Sequence, residues 1–201
     1  MEINYYLNLA SFGEITTLLN ANYNKENKLP KVALKEYLLA LSSQEKILKV
    51  FRMLGIEEQV LEKHVNDLLS LEEKLIILAT QLLKGKEVIL NYFEKGLNEK
   101  ERIYIKRILR KLALDYKVKV LVFTNDLEFL LGFVDKIIIL ENQEIAKTLT
   151  NKEFYNESIF KYIDRPQIIS FVKKCHLLGK KLDNYIDISE LLKGLYRLWD
   201  T

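Results

Sequence analysis

The sequence predicts an α/β fold, a mainly parallel sheet flanked by helices and followed by a C-terminal helical extension. Three observations carry this. Val88–Leu90, Val118–Phe123 and Lys136–Leu140 are short runs dominated by Val, Ile and Leu, the composition of strands buried on both faces. Helical patterns, Glu99–Leu114 and Leu127–Phe133, fall between them, so strand and helix alternate as they do in a parallel sheet. From Lys152 onward only helical patterning remains. The expected organisation is a core over residues 1–150 and an extension over 151–201, with no internal repeat and no low-complexity linker.

Each element has its own reason. Ile3, Tyr5, Leu7 and Leu9 alternate with polar Asn4 and Asn8, which predicts a strand. Ser11-Phe12-Gly13 is a turn, and Glu14–Leu19 a second strand. Asn20–Lys28 is polar and rich in Asn and Lys, a loop that Pro30 closes. Val32–Leu41 and Gln44–Leu54 carry apolar residues at helical spacing, with Ser42 or Ser43 as a cap and Gly55 as a stop. Glu57–Leu69 reads as a short helix and Leu71–Leu83 as a more buried one. Asn98 caps the helix Glu99–Leu114, whose buried side is expected to be Ile103, Ile105, Ile108, Leu109 and Leu112. In the extension, Pro166 opens a helix, Gly179 stops it, and Asp187 or Ser189 caps the last one.

Composition narrows the function. The chain has 201 residues, 49% hydrophobic and 29% charged, with a formal net charge of +3. This balance is globular. The excess charge is too small to indicate a nucleic-acid partner without a clustered basic face. Cys175 is the single cysteine, so no internal disulfide forms and a reducing compartment fits. Phe129–Leu140 is interrupted by Asp135 and Lys136 and falls short of the roughly 20 apolar residues of a spanning helix. The first residues, MEINYYLNL, lack the basic-then-apolar order of a signal peptide. A cytoplasmic protein is expected, held at a membrane only through another chain. His64 and His176 lack metal-ligand spacing, and Trp199 and the tyrosines read as core and interface material. No metal site is expected.

Four stretches, in order, resemble the ATPase subunits of ATP-binding-cassette (ABC) transporters. Leu69-Ser70-Leu71-Glu72-Glu73-Lys74 stands where that family has Leu-Ser-Gly-Gly-Gln/Glu at a helix start. Glu87–Glu101 (EVILNYFEKGLNEKE) is similar to the Walker B strand and D-loop. Val120–Phe129 (VLVFTNDLEF) is similar to the strand and switch segment that reads Thr-His-Asp, and VDKIIILENQEI to the last core strands. Arg165–Leu198 is similar to the C-terminal helices of energy-coupling-factor transporter ATPases, where Pro166, Gln167, Gly179, Ser189, Glu190 and Leu191 match. The resemblance covers residues 54–198 and implies a shortened P-loop NTPase-like core.

The same alignment implies missing chemistry. A phosphate loop needs G-x-x-x-x-G-K-[ST], because glycines let consecutive N–H groups converge on phosphate. No glycine lies between Glu14 and Leu54. The candidate segment is Asn20–Lys28, where Lys25 and Lys28 could meet a phosphate but no backbone cradle is encoded. Whether the P-loop is mutated there or deleted is left open. The Walker B Asp and Glu positions are Asn91 and Tyr92, a neutral amide and a phenol with an unperturbed pKa of about 10. The D-loop Asp becomes Asn98, the switch His becomes Asn125, and the signature glycines become Leu71 and Glu72, beside Ser70 and Glu73. Glu72 would set a negative charge where the family accepts a γ-phosphate. The stretch between Lys28 and Ser70 is also short for the family.

The resemblance therefore implies a pseudo-ATPase subunit, not an enzyme, with no cofactor expected and ATP with Mg²⁺ a residual alternative. Its implied partner is an active ABC ATPase or a transmembrane coupling subunit, in a homo- or heterodimer, with no nucleic acid. The expected association face is Phe160, Ile163, Ile168, Ile169, Val172, Leu191, Leu192 and Leu195. The alternatives are a diverged ATPase that still binds nucleotide through Lys25 or Lys28, and a free-standing regulatory or scaffold protein.

Overall fold

The computed structural model describes residues 3–21, 23, 27–150, 153, 155, 159–162 and 164–199. Helix α1 spans Ile3–Leu7 and strand β1 Ile15–Leu19. Helices α2 (Leu34–Leu41), α3 (Gln44–Leu54) and α4 (Ser70–Lys84) follow, with 3₁₀ turns at Glu58–Glu62 and Val65–Asp67. Next come β2 (Glu87–Asn91), α5 (Glu99–Tyr116), β3 (Lys119–Phe123), α6 (Leu127–Leu130), β4 (Lys136–Glu141) and β5 (Glu144–Thr150). Helices α7 (Gln167–Leu177) and α8 (Ile188–Trp199) close the described chain. The strands form one mixed sheet in the order β2-β3-β1-β4-β5. No helix among the described residues is long and apolar enough to cross a membrane.

The chain divides into two compact units: Met1–Thr16 with Asn22–Phe123, and Thr17–Ala21 with Thr124–Thr201. These differ from the division at residue 150 expected from the sequence. In the first unit β2 and β3 pair in parallel, Glu87 opposite Lys119 and Asn91 opposite Phe123. Val88, Leu90 and Val120–Phe123 are buried, which is why these strands read as continuous apolar runs. Helix α3 buries Ile47, Val50, Phe51 and Leu54, one stripe at i, i+3, i+4, i+7. It stops at Gly55, whose φ of +71° is left-handed and whose N–H reaches Phe51 O and Arg52 O. A side chain there would collide with the Tyr104 hydroxyl, so glycine is required twice over. Helix α5 buries Ile105, Ile108, Leu109, Leu112 and Ala113. Ile103, expected on that side, is 41% exposed.

Two elements of the first unit differ from the sequence expectation. Residues 3–7 form one helical stretch, not a strand. The turn brings Tyr6, buried, edge-on to Phe123 with ring centroids 5.5 Å apart, and one aromatic contact outweighs a short alternation. Residues 57–69 are two 3₁₀ turns, not a helix, because Lys63 and His64 are extended. They bridge to Ala33: Leu34 N–H donates to Lys63 O and Val65 N–H to Val32 O.

In the second unit β4 and β5 form an antiparallel hairpin. Its turn residues Asn142 and Gln143 both have positive φ, +52° and +68°, as a twisted two-residue hairpin turn demands. Pro166 precedes α7 and Asp187 caps α8, its Oδ1 accepting from the Ser189 and Glu190 amides at 2.9 and 3.1 Å. Val172, Leu182 and Leu191 form a buried cluster, packed by Tyr155, Ile168, Cys175, Tyr185, Leu195 and Leu198. The Tyr155 hydroxyl donates to Tyr185 O, and burial pushes its pKa up to about 12.

Candidate functional site

In open α/β sheets, ligands bind beyond the carboxyl ends of the parallel strands. The side chains there are described unit by unit. In the first unit, β2 ends at Asn91 and Tyr92. The Asn91 Nδ2 donates to Tyr23 O at 3.0 Å. The Tyr23 ring stacks on Phe123 with centroids 4.4 Å apart and planes 21° from parallel. Burial pushes the Tyr23 phenol up from its ordinary pKa. Tyr92 takes a positive φ of +45°, its N–H donates to Phe123 O at 2.8 Å, and Lys95 Nζ lies 4.0 Å from its ring centroid. Such a contact attracts the ammonium to the ring face.

The same loop is tied to β2 a second time. Asn27 Nδ2 donates to Ile89 O at 3.1 Å. Gln81 brackets that residue from α4, its Nε2 donating to Ile89 O at 2.9 Å and its Oε1 accepting from Ile89 N–H at 2.7 Å. Because β2 is an edge strand, these amides fill backbone positions that would otherwise offer a template for another strand. The sequence reading missed Tyr23, Asn27 and Gln81. The one available signal was an aromatic residue inside a polar loop.

The signature-like segment begins α4, with Ser70 exposed at its first position. Glu72 returns its carboxylate to the Leu69 N–H at 2.9 Å. Leu69 has no side-chain acceptor, so this is half of a capping box. Lys63 Nζ donates to both Glu72 oxygens at 2.7 and 2.8 Å. Burial alone would raise the Glu72 pKa, but the Lys63 and Leu69 hydrogen bonds and the Lys63 charge more than offset it and hold the carboxyl low. The negative charge the sequence places at Glu72 is paired with a lysine and a helix N-terminus. Leu71 is half-buried and Glu73 exposed. Asn98 is the helix cap the sequence predicted. Its Oδ1 accepts from Glu101 N–H at 3.1 Å and its N–H donates to Glu101 Oε2 at 2.8 Å. Lys28 is exposed, and Lys25 lies outside the described residues.

In the second unit, β1 ends at Asn20, whose φ is +60°. Its N–H donates to Asn125 Oδ1 at 2.8 Å, and its Nδ2 to Tyr162 O at 3.3 Å. Asn125 therefore fastens the start of the polar loop. The expected association face needs correction. Ile169, Val172 and Leu191 are buried in this unit's own core, and Ile168 and Leu195 pack against it. Phe160 is half-buried, with Arg165 4.8 Å and Lys173 5.5 Å from its ring centroid. Ile163 lies outside the described residues. Of the described members of that set, only Leu192 is exposed, at 49%, and it shares one α8 stripe with exposed Ile188 and Tyr196. The apolar spacing was readable, but both sides of α8 carry it, and the inner side is taken up by Val172 and Tyr185. Among the described residues, no cluster of three or more His, Cys, Asp or Glu could hold a metal ion.

No protein-family model matches the chain. It is 25% identical over 161 residues to the tungstate uptake system ATP-binding protein TupC of Campylobacter jejuni, covering 80% of this chain and 43% of that protein. Among solved structures it is similar to cbiO1 from Clostridium perfringens, part of the ABC transporter complex cbiONQ. The TM-score is 0.62 at 14% identity, over 81% of this chain and 88% of that one. A bacterial ABC transporter cassette solved as a dimer gives a TM-score of 0.57 at 16% identity, over 71% and 87%. The chain spans less than half the length of the curated relatives it matches. Its fold is that of an ABC-transporter ATPase cassette.

Proposed function

We propose that this chain is a pseudo-ATPase: an ABC-cassette subunit that works by association with a transporter's active ATPase or membrane coupling subunit, without hydrolysing ATP itself. The observation that carries the reading is the loop after β1. Where a phosphate cradle would stand, Tyr23 stacks on Phe123 and its carbonyl takes the Asn91 amide.

Mg²⁺ with a nucleotide is the group that goes with this fold, and the two positions directly after the β2 core, Asn91 and Tyr92, do not suit it. A hard dication takes oxygen ligands and favours carboxylates, and the two positions after the β2 core are an amide and a phenol. Tyr92 offers a phenol in place of a carboxylate, and Lys95 lies over its ring face. Among the described loop residues, Tyr23 turns its carbonyl to Asn91 and its ring onto Phe123, away from the arrangement of a phosphate cradle. Glu72, Asn98 and Asn125 are each spent on caps and backbone amides. The exposed α8 stripe Ile188–Leu192–Tyr196 is offered as the association face in place of the buried one.

The test is isothermal calorimetry of the purified chain with Mg-ATP up to millimolar nucleotide. No heat beyond dilution is expected. A one-site isotherm would overturn the reading in favour of a nucleotide-binding subunit, as the curated relatives are named. The partner half of the reading predicts a multi-span membrane protein in a pull-down from cells, and its absence counts against a transporter role.

A further inference from the structure

The sequence led to the expectation of a membrane reached only through a partner. The end of α7 points elsewhere. Leu177 is 87% and Leu178 78% exposed, the two most exposed large apolar side chains among the described residues. They are not on a loose end. Gly179, with φ +74°, closes the helix: its N–H donates to His176 O at 3.0 Å and Lys180 N–H to Cys175 O at 3.0 Å. The His176 ring nitrogen Nε2 is hydrogen-bonded with Leu182 O at 2.6 Å. Leu182 and Val172 are anchored in the buried cluster on either side. The turn is thus fixed at both feet and holds its two leucines out in water.

The charges from α7 through the tip are basic, and Asp183 follows directly after Leu182. From Arg165 to Leu182 the basic residues are Arg165, Lys173, Lys174, Lys180 and Lys181, and there is no Asp or Glu. Lys174, Lys180 and Lys181 are exposed. A protein–protein interface core is depleted in lysine. A lipid surface suits this arrangement better: leucines enter the headgroup boundary while lysine ammoniums stay among anionic headgroups.

We propose that the α7 tip, Leu177 and Leu178 flanked by the exposed Lys174, Lys180 and Lys181, is a direct docking point on an anionic lipid bilayer. The contact is peripheral and salt-sensitive, with two leucines inserting and the lysines supplying the attraction. It does not depend on nucleotide or on a partner subunit, so it stands or falls separately from the pseudo-ATPase reading.

The experiment is co-sedimentation of the whole chain with phosphatidylcholine vesicles, with and without about one third phosphatidylglycerol. The chain is expected to pellet with the anionic vesicles and not the neutral ones, and to be released as salt shortens the Debye length to about 3 Å at 1 M. Leu177→Ser with Leu178→Ser should weaken partition at least about tenfold. Lys180→Glu with Lys181→Glu should weaken it about thirtyfold or more, at about fivefold per basic charge. All four positions are exposed, so circular dichroism and the thermal midpoint should not move. Failure of the unmodified chain to pellet with anionic vesicles would overturn the proposal and leave the tip as a protein contact. Equal partition into neutral vesicles, or partition unchanged by the leucine pair, would overturn it too.

Discussion

The strand ends of the first unit and the α7–α8 segment of the second treat their side chains in opposite ways. At the strand ends polar groups turn inward. Asn91 reaches Tyr23 O, Asn27 and Gln81 reach Ile89, and Glu72 reaches Lys63 and Leu69 N–H. In the α7–α8 segment apolar groups turn outward: Phe171, Leu177, Leu178, Ile188, Leu192 and Tyr196 are all exposed. Where both ends of a polar side chain meet the protein's own groups, as at Gln81 and Glu72, little is left for a ligand. An apolar group held in water has a standing reason to be covered. The first region is held by its own groups, and the second leaves apolar side chains in water.

The sharpest way to break this contrast is at Phe123. It is buried at the junction of two aromatic contacts, stacked with Tyr23 and edge-on to Tyr6. Phe123→Ala should destabilise the fold by about 3–5 kcal/mol, the cost of a large core cavity, read by urea unfolding. If the strand ends were an open ligand site, the ring would have only strand neighbours and the loss would fall well below this range.

The sheet was legible because β3 and β4 are buried on both faces and β2 keeps an apolar run, so Val88–Leu90 and Val120–Phe123 stand out from their surroundings. Helix stops and caps were legible where one residue type is required, as at Gly55 and Asn98. Residues 3–9 were misread because a short apolar alternation serves a single helical turn as well as a strand. Residues 57–69 were misread because the bridge to Ala33 is a tertiary contact that local periodicity does not encode. At the site, the identities Asn91, Tyr92 and Asn125 could be read, but not what they bond to. Tyr23 lies 68 positions from Asn91 in the chain, and nothing local announces that pairing. On α8 the spacing gave two apolar stripes, and only packing shows which one is inside.

Asn98 tests the contrast at smaller scale. The resemblance sets a D-loop aspartate at this position, while here the side chain completes a reciprocal cap with Glu101. Asn98→Ala should cost about 1 kcal/mol, the ordinary value of a lost cap. Asn98→Asp should be close to neutral, since aspartate caps equally well and suits the helix N-terminus. A large gain in nucleotide binding from Asn98→Asp would show that the position still belongs to a ligand site.

Glu72 gives the smallest effect and the one with a pH signature. Its carboxyl is held below the ordinary value of 4.5, so the folded state binds the proton less readily than the unfolded chain. The associated stability is full above about pH 4.5 and drains away as pH falls through the depressed value. The Lys63–Glu72 side chains are 34% and 22% exposed, and solvent screening limits the pair to about 1 kcal/mol or less. Glu72→Gln keeps an acceptor for the Leu69 amide and removes the charge. It should cost about 0.5–1 kcal/mol at pH 7, and the difference from the unmodified chain should close in acid, measured by urea unfolding across the range. A variant that is more stable at neutral pH would mean that the charge at this position costs stability and the pair with Lys63 does not offset it. A cost that persists unchanged in acid would assign the role to side-chain shape and not to the ion pair. The inward-turned reading requires the third result, a modest cost that titrates away.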